Sequence, residues 1–110
     1  MLNIFYIGCS PDKKDKAIEM MRAELKKMME EPISQEELQR AQNYLIGQQA
    51  ISLQKKSSIS QSILLDVVYG LPANLIFEVI EKYKRITPEQ VQKLSKKLFS
   101  GSEILSIVGL

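Results

Sequence analysis

The sequence predicts an α+β fold in which an N-terminal and a C-terminal strand flank four or five amphipathic helices. Three observations predict it: a branched and aromatic run at residues 2–7, apolar residues at helical spacing between residues 12 and 99, and a second branched run at residues 104–108. The length of 110 residues, with 45% apolar and 25% charged residues, is typical of one globular domain or part of one. We treat residues 1–110 as a single partial domain.

The first predicted strand, Leu2–Ile7, ends at Gly8, and a helix entered through Pro11 is predicted from Asp12 to Glu30. Its apolar residues recur every three or four positions, with most lysines on the opposite side, which is the pattern of a half-buried helix. The residues predicted to face the core are Ala17, Ile18, Met21, Leu25, Met28 and Met29.

A capping pattern predicts the start of the second helix. Ser34 is placed to accept from the backbone N–H of Glu37, whose carboxylate reaches back, while Ile33 and Leu38 occupy the two positions of a hydrophobic staple. The helix extends to about Ser52, and Gly47 inside it costs about 1 kcal/mol relative to Ala unless another backbone packs there. Its predicted inner face is Leu38, Ala41, Tyr44, Leu45 and Gln48.

A polar gap at residues 55–58 precedes a third predicted helix, which ends at Gly70, and a short fourth helix follows the turn at residues 71–74. A second capping pattern starts the last helix, with Thr87 as the cap, Pro88 at the first helical position and Gln90 completing the box. The inner faces predicted for these three helices are Ile59, Ile63, Leu64, Val67 and Val68; Ile76, Val79, Ile80 and Tyr83; and Val91, Leu94, Leu98 and Phe99.

Two strands alone form a marginal sheet. Either they pair with each other or both join a larger antiparallel or mixed sheet. The second arrangement is favoured because residues 4–7 are apolar consecutively, as in strands that are covered on both faces.

Composition excludes several kinds of active site. Without histidine there is no Ser-His or Cys-His nucleophile pair and no His-ligated zinc, and the single Cys9 excludes an intrachain disulfide. A net charge of +2 does not argue for nucleic acid, and no apolar run is long enough to predict a membrane span. The lone cysteine slightly favours a cytoplasmic location, and a periplasmic one stays open.

Four groups of residues are candidate sites, and each is better explained by a structural role. Cys9 fits a small residue at a strand end, the carboxylates fit helix N-terminal and solvated positions, the lysines fit solvated faces, and the methionines fit core. We therefore assign no catalytic, cofactor-binding or metal-binding residue. The last three groups are Glu30, Glu31, Glu36 and Glu37; Lys13, Lys14, Lys16, Lys82, Lys84, Arg85, Lys93, Lys96 and Lys97; and Met20, Met21, Met28 and Met29.

Three stretches, taken in order, resemble a known family. The run Ile4–Gly8 followed by Ser10-Pro11 and a helix, the segment Ile33–Leu45 and the segment Arg85–Gln92 resemble the end of the C-terminal, non-catalytic domain of the M16 (pitrilysin/insulinase-like) zinc peptidases. The resemblance spans nearly the whole chain. The two segments that carry most of it, Ile33–Leu45 and Arg85–Gln92, are moderately specific, since each consists in part of a helix-capping pattern that many proteins share.

The resemblance implies an α+β domain of the LuxS/MPP-like metallohydrolase type and a chamber of two related halves that degrades or processes peptides. It places zinc, held by an inverted HxxEH motif and a downstream Glu, in the parent protein's N-terminal half. This chain has no histidine, so none of that site carries over. The substrate-binding Arg and Tyr of the family's C-terminal half would precede Met1. No cofactor is therefore expected in this fragment.

The leading hypothesis is a non-catalytic C-terminal fragment of a zinc-dependent peptidase, which contributes scaffold and chamber wall to proteolysis by the full-length protein. Its expected partners are the rest of the parent peptidase and, in the whole protein, peptide substrates. The alternative is a stand-alone helical interaction adaptor, which should be self-contained. The isolated chain is expected to form a homodimer by edge pairing or by exchange of a terminal element, and not to bind nucleic acid or membranes.

Overall fold

A computed structural model describes residues 2–109, and its regular structure is helical. A short 3₁₀ helix at Pro11–Lys13 leads directly into the first α-helix. The five α-helices are α1 (Lys14–Glu30), α2 (Gln35–Ser52), α3 (Lys56–Val68), α4 (Leu75–Lys84) and α5 (Pro88–Phe99). The sequence predicts four or five helices in this order, and the structure has five.

The predicted α+β fold is wrong, because residues 2–109 contain no strand. The segments predicted as strands, 2–7 and 104–108, lack regular secondary structure and are exposed along their whole length. Branched and aromatic residues favour a pleated conformation, but a strand also needs a neighbour to pair its backbone N–H and C=O groups. Within the described chain neither segment finds one.

The residues form two compact units. The first unit contains the described residues up to Ile33 together with those from Pro88 onward, and in it α1 packs against α5. Ala17 of α1 and Ser95 of α5 are its buried residues. The Ser95 hydroxyl donates to the carbonyl of Val91 at 2.8 Å, and the Gln92 amide donates to the carbonyl of Met29 at 3.2 Å, near the end of α1.

The second unit, Ser34–Thr87, contains the other three helices, and α4 packs against both α2 and α3. Its buried residues are Leu38 and Gln42 of α2 and Ile76 of α4. The amide of Gln49 donates to the carbonyl of Ile76 at 2.9 Å, so polar side chains of α2 as well as apolar ones hold α4 in place.

The ends of two helices show why the chain turns where it does. Ser34 caps α2 as predicted, its hydroxyl accepting from the backbone N–H of Glu37 at 3.1 Å. At the end of α3, Leu71 N–H donates to the carbonyl of Asp66 at 2.7 Å and Gly70 N–H to that of Val67 at 3.1 Å. This is a Schellman ending, and Gly70 has the φ of 72° that it requires.

Apolar spacing predicted some inner faces correctly. The predicted faces of α1 and α4 are confirmed as buried or half-buried. For α2 the prediction is correct only at Leu38, because the other four residues of the predicted face are exposed. Gln42 and Gln49, which were not predicted, face inward with Leu38. In α3 and α5, Leu64, Val67, Val68 and Leu94 were predicted inward and are exposed.

Candidate functional site

The most prominent surface feature of the second unit is exposed apolar area on α3. Four aliphatic residues in its C-terminal half are exposed, and two more apolar residues follow the helix. A helix that is apolar around most of its circumference normally packs on more than one side. We call this set the α3 apolar surface: Leu64, Leu65, Val67, Val68, Tyr69 and Leu71.

An open groove of about 430 Å³ lies on the outer side of α2. It is lined by Glu37, Arg40, Ala41 and Tyr44, with Arg40 donating to Glu36 at 3.1 Å beside it. The hydroxyl of Tyr44 accepts from the Gln48 amide at 2.7 Å. The groove thus offers an aromatic face and an arginine that is already paired along the helix, which suits surface contact better than chemistry.

The first unit has a second groove, of about 360 Å³, along α1. Asp15, Ile18, Glu19 and Arg22 line it from the helix, and Leu105 of the C-terminal segment lines its other side. Residues three, four and seven apart lie on one side of a helix, so these four form a continuous stripe.

Arg22 joins this groove to the C-terminal segment by an ion pair. Its Nε and one terminal nitrogen both donate to Oε1 of Glu103, at 3.0 and 2.5 Å. The hydrogen bond from Arg22 and its positive charge lower the pKa of Glu103, and the same bond raises that of Arg22. Both side chains are about half exposed, so the pair is a solvated contact rather than a buried one.

Residues 1–45 match the family described as the peptidase M16 inactive domain. The resemblance to the M16 C-terminal domain is confirmed over these residues, which include Ile4–Gly8 and Ile33–Leu45, whereas Arg85–Gln92 lies outside the match. The match covers α1 and the first part of α2, which includes the groove residues of both helices. Neither a curated protein nor a solved structure matches the chain.

Within the M16-matched segment, the structure shows where the weighed residues lie. Cys9 is exposed, two residues before the 3₁₀ helix. Glu30 pairs with Lys26 at 3.7 Å at the end of α1, and Glu36 with Arg40 at the start of α2. The Glu30 and Glu36 carboxylates therefore each pair with a cation of their own helix. Met20 is exposed, while Met21, Met28 and Met29 are half-buried.

The remaining lysines that were weighed as an anion-binding surface are exposed. Lys84 pairs with Glu81 at 2.8 Å, and this contact lowers the pKa of the Glu81 carboxyl. In α5, Lys93, Lys96 and Lys97 lie about one turn apart. The last two lie in the last turn of the helix, where positive charge is stabilising. The solvated-face interpretation stays a prediction for them.

Residues 2–109 contain no group of three or more histidine, cysteine, aspartate or glutamate side chains that could hold a metal ion. The same stretch has no helix with the length and apolar character that a membrane crossing requires. The assignment of no catalytic, cofactor or metal residue stays a prediction.

Sequence reasoning missed the polar contacts that fix the helices. Gln42 and Gln92 bond to carbonyls more than 40 residues away in the chain, and Arg22 bonds to Glu103 across 81 residues. For Gln42 a signal was present: it lies four residues after Leu38, on the same side of the helix. Nothing local in the sequence points to the Arg22–Glu103 pair.

Proposed function

We propose that this chain is a non-catalytic part of an M16-type, zinc-dependent peptidase and contributes scaffold and chamber wall to the full-length protein. The observation that carries the proposal is the match of residues 1–45 to the inactive domain of that family. The chain would support proteolysis by positioning surfaces rather than by supplying reacting groups. Peptide substrates would meet the assembled protein, not this fragment alone.

The exposed apolar residues support a scaffold role. Isolated apolar side chains are common on protein surfaces, but sets of neighbouring ones usually mark an interface. Asp66, which is half-buried, is the one charged residue in the segment 64–71 that carries the α3 apolar surface. Little charge would therefore oppose burial of this surface. We propose the rest of the parent peptidase as the partner of this surface, which lies outside the matched residues 1–45.

The chain's own residues do not fit the zinc site of the family. That site needs two histidines, and the sequence has none. Zinc chemistry therefore belongs, in this proposal, to the N-terminal half of the parent, and no catalytic step is assigned to this chain.

The proposal is tested by titrating the purified chain with zinc in a calorimeter and then assaying hydrolysis of a mixed peptide library. We expect no stoichiometric binding and no cleavage. A Cys9→Ser variant is the matched control, since it removes the one thiol that weakly held zinc would use. Stoichiometric binding by both proteins, or cleavage that persists after repeated purification and disappears with a chelator, would overturn the assignment.

A further inference from the structure

The C-terminal segment, residues 102–109, lies against the first unit through side chains and not through its backbone. It has no regular secondary structure, and within the described chain none of its backbone N–H or C=O groups is hydrogen-bonded to another protein group. Glu103 accepts hydrogen bonds from Arg22, and Leu105 lines the α1 groove. Ile104, between them, is 94% exposed. The segment thus alternates between groove and solvent, as an extended chain does.

The α1 groove fixes where a carboxylate can bind. Among the described residues that line it, Arg22 is the one cation, whereas Asp15 and Glu19 are acidic. The two acidic side chains repel a carboxylate, so its favourable position is beside Arg22, where Glu103 lies. Leu105 follows two positions later and lies on the same side of the extended chain. The ligand that suits the groove is therefore an extended peptide with a carboxylate and, two positions further on, an aliphatic residue.

The contact between segment and groove is easily reversed. Residues 100–102, which link the segment to α5, are Ser-Gly-Ser and exposed, and short links of small polar residues are flexible. Arg22 and Glu103 are each about half exposed, so water and salt weaken their attraction. A segment without backbone hydrogen bonds opens at a low cost in free energy. It can therefore leave the groove while α1 and α5 stay folded.

We propose that residues 102–109 form a releasable strap, which occupies the α1 groove of its own chain and excludes other peptides of the same pattern from it. The strap is tethered to α5 and therefore competes at a high effective concentration, whereas a free peptide has only the ion pair and the aliphatic contact. Release of the strap opens the groove to such a peptide. All of these contacts lie within the first unit, so the strap does not depend on the M16 assignment.

Two variants of the full chain separate release of the strap from a general change in the segment. The released chain carries Glu103→Gln and Leu105→Asn, which remove both side chains that meet the groove and leave α1 unchanged. Ile104→Asn is the matched control, since it alters the exposed residue between them. The probe is a synthetic peptide of residues 100–106 with blocked ends, which carries the carboxylate and the leucine. NMR resonances of the Ile18 methyl groups, in the groove wall, report its binding.

We expect the released chain to bind the peptide about fivefold more tightly than the wild type, because a groove that is free in about one fifth of the molecules has its apparent affinity reduced by that fraction. Ile104→Asn should bind like the wild type. Adding Arg22→Gln to the released chain should weaken peptide binding about threefold, since the carboxylate loses its partner. In the wild type without peptide, raising NaCl from about 20 mM to about 500 mM should move the Ile18 resonances toward those of the released chain.

Several results would overturn the proposal. These are equal peptide affinity in the wild-type and released chains, no binding to either, tighter binding to Ile104→Asn, or no effect of Arg22→Gln on binding to the released chain. Circular dichroism checks that the helices are intact, as expected for substitutions in a segment outside every helix. If the double substitution unfolds the chain, Glu103→Gln alone replaces it. That variant must then bind the peptide more tightly than the wild type, and equal binding would overturn the strap.

Discussion

The side-chain amide of Gln42, in the middle of α2, donates to the carbonyl oxygens of Tyr83 at 2.7 Å and Ile86 at 3.4 Å, where α4 ends. The last carbonyls of a helix have no partner within the helix. The buried Gln42 therefore caps the C-terminal end of α4, a role that a residue of the adjoining loop often has. The contact also fixes the position of α2 along α4, since Gln49 makes a similar bond to Ile76 two turns further along α2.

Replacing Gln42 by Ala should destabilise the second unit by about 1–3 kcal/mol, because it removes a buried side chain and the hydrogen bonds that its amide donates at the end of α4. Urea unfolding followed by circular dichroism measures the change. Gln39→Ala is the matched control: that amide bonds to Asn43 at 3.0 Å on the exposed side of the same helix. The control should change stability by no more than about 0.5 kcal/mol, and equal losses in the two variants would show that Gln42 has no special role.

Gly47 and Gly70 should respond to alanine in opposite directions. Gly47 lies inside α2, and a Cβ there would meet nothing within 4 Å, so Gly47→Ala should stabilise the chain by about 0.5–1 kcal/mol. At Gly70 there is also space, but φ is 72°, so Gly70→Ala should destabilise it by about 1–2 kcal/mol. Thermal melts of the two variants check both signs. A loss of stability in Gly47→Ala would indicate that another chain packs against α2.

Ser34→Ala should destabilise α2 by about 1 kcal/mol, because it removes the acceptor that caps the N–H of Glu37. Ser60→Ala, at an exposed position inside α3, removes a hydroxyl without removing a cap and should not destabilise. Amide hydrogen exchange in the first turn of α2 localises the effect. Equal protection of that turn in wild type and Ser34→Ala would contradict it.

The Arg22–Glu103 contact predicts a specific pH dependence. Arg22 lowers the pKa of Glu103 from its ordinary value of 4.5, so the folded state binds this proton less readily than the unfolded state does. The resulting stabilisation is present above pH 4.5 and is lost as the pH falls through the lowered value. An NMR titration of the Glu103 carboxyl should show a lower midpoint in wild type than in Arg22→Gln. Coincident curves would mean that the contact does not persist in solution.

Local signals in the sequence predicted the helices well. Proline, glycine and the Ser34 cap mark where helices begin and end, and these effects act over a few residues. The face of α2 was predicted wrongly because apolar residues were counted as inward and amides as outward. In α2, Gln42 is buried because its amide donates to a carbonyl at the end of α4, whereas Tyr44 lies on the exposed side of the helix.

The two predicted strands failed for a different reason. Residues 2–7 and 104–108 have strand-type side chains, but pairing depends on a neighbour that no local pattern guarantees. The segments instead make side-chain contacts with the helices: Phe5 packs edge-on against Phe99 with ring centroids 5.6 Å apart, and Glu103 bonds to Arg22. Such long-range contacts cannot be derived from spacing in one sequence.

The central claim is that this chain works as a non-catalytic part of a larger M16-type peptidase. The most direct test is the mass of the native protein in its source cells, measured by immunoblot with an antibody raised against this chain. We predict a band several times heavier than the 12.5 kDa of these 110 residues. A single band near 12.5 kDa would contradict the claim: the M16 resemblance would then reflect ancestry, and the interaction-adaptor hypothesis would replace it.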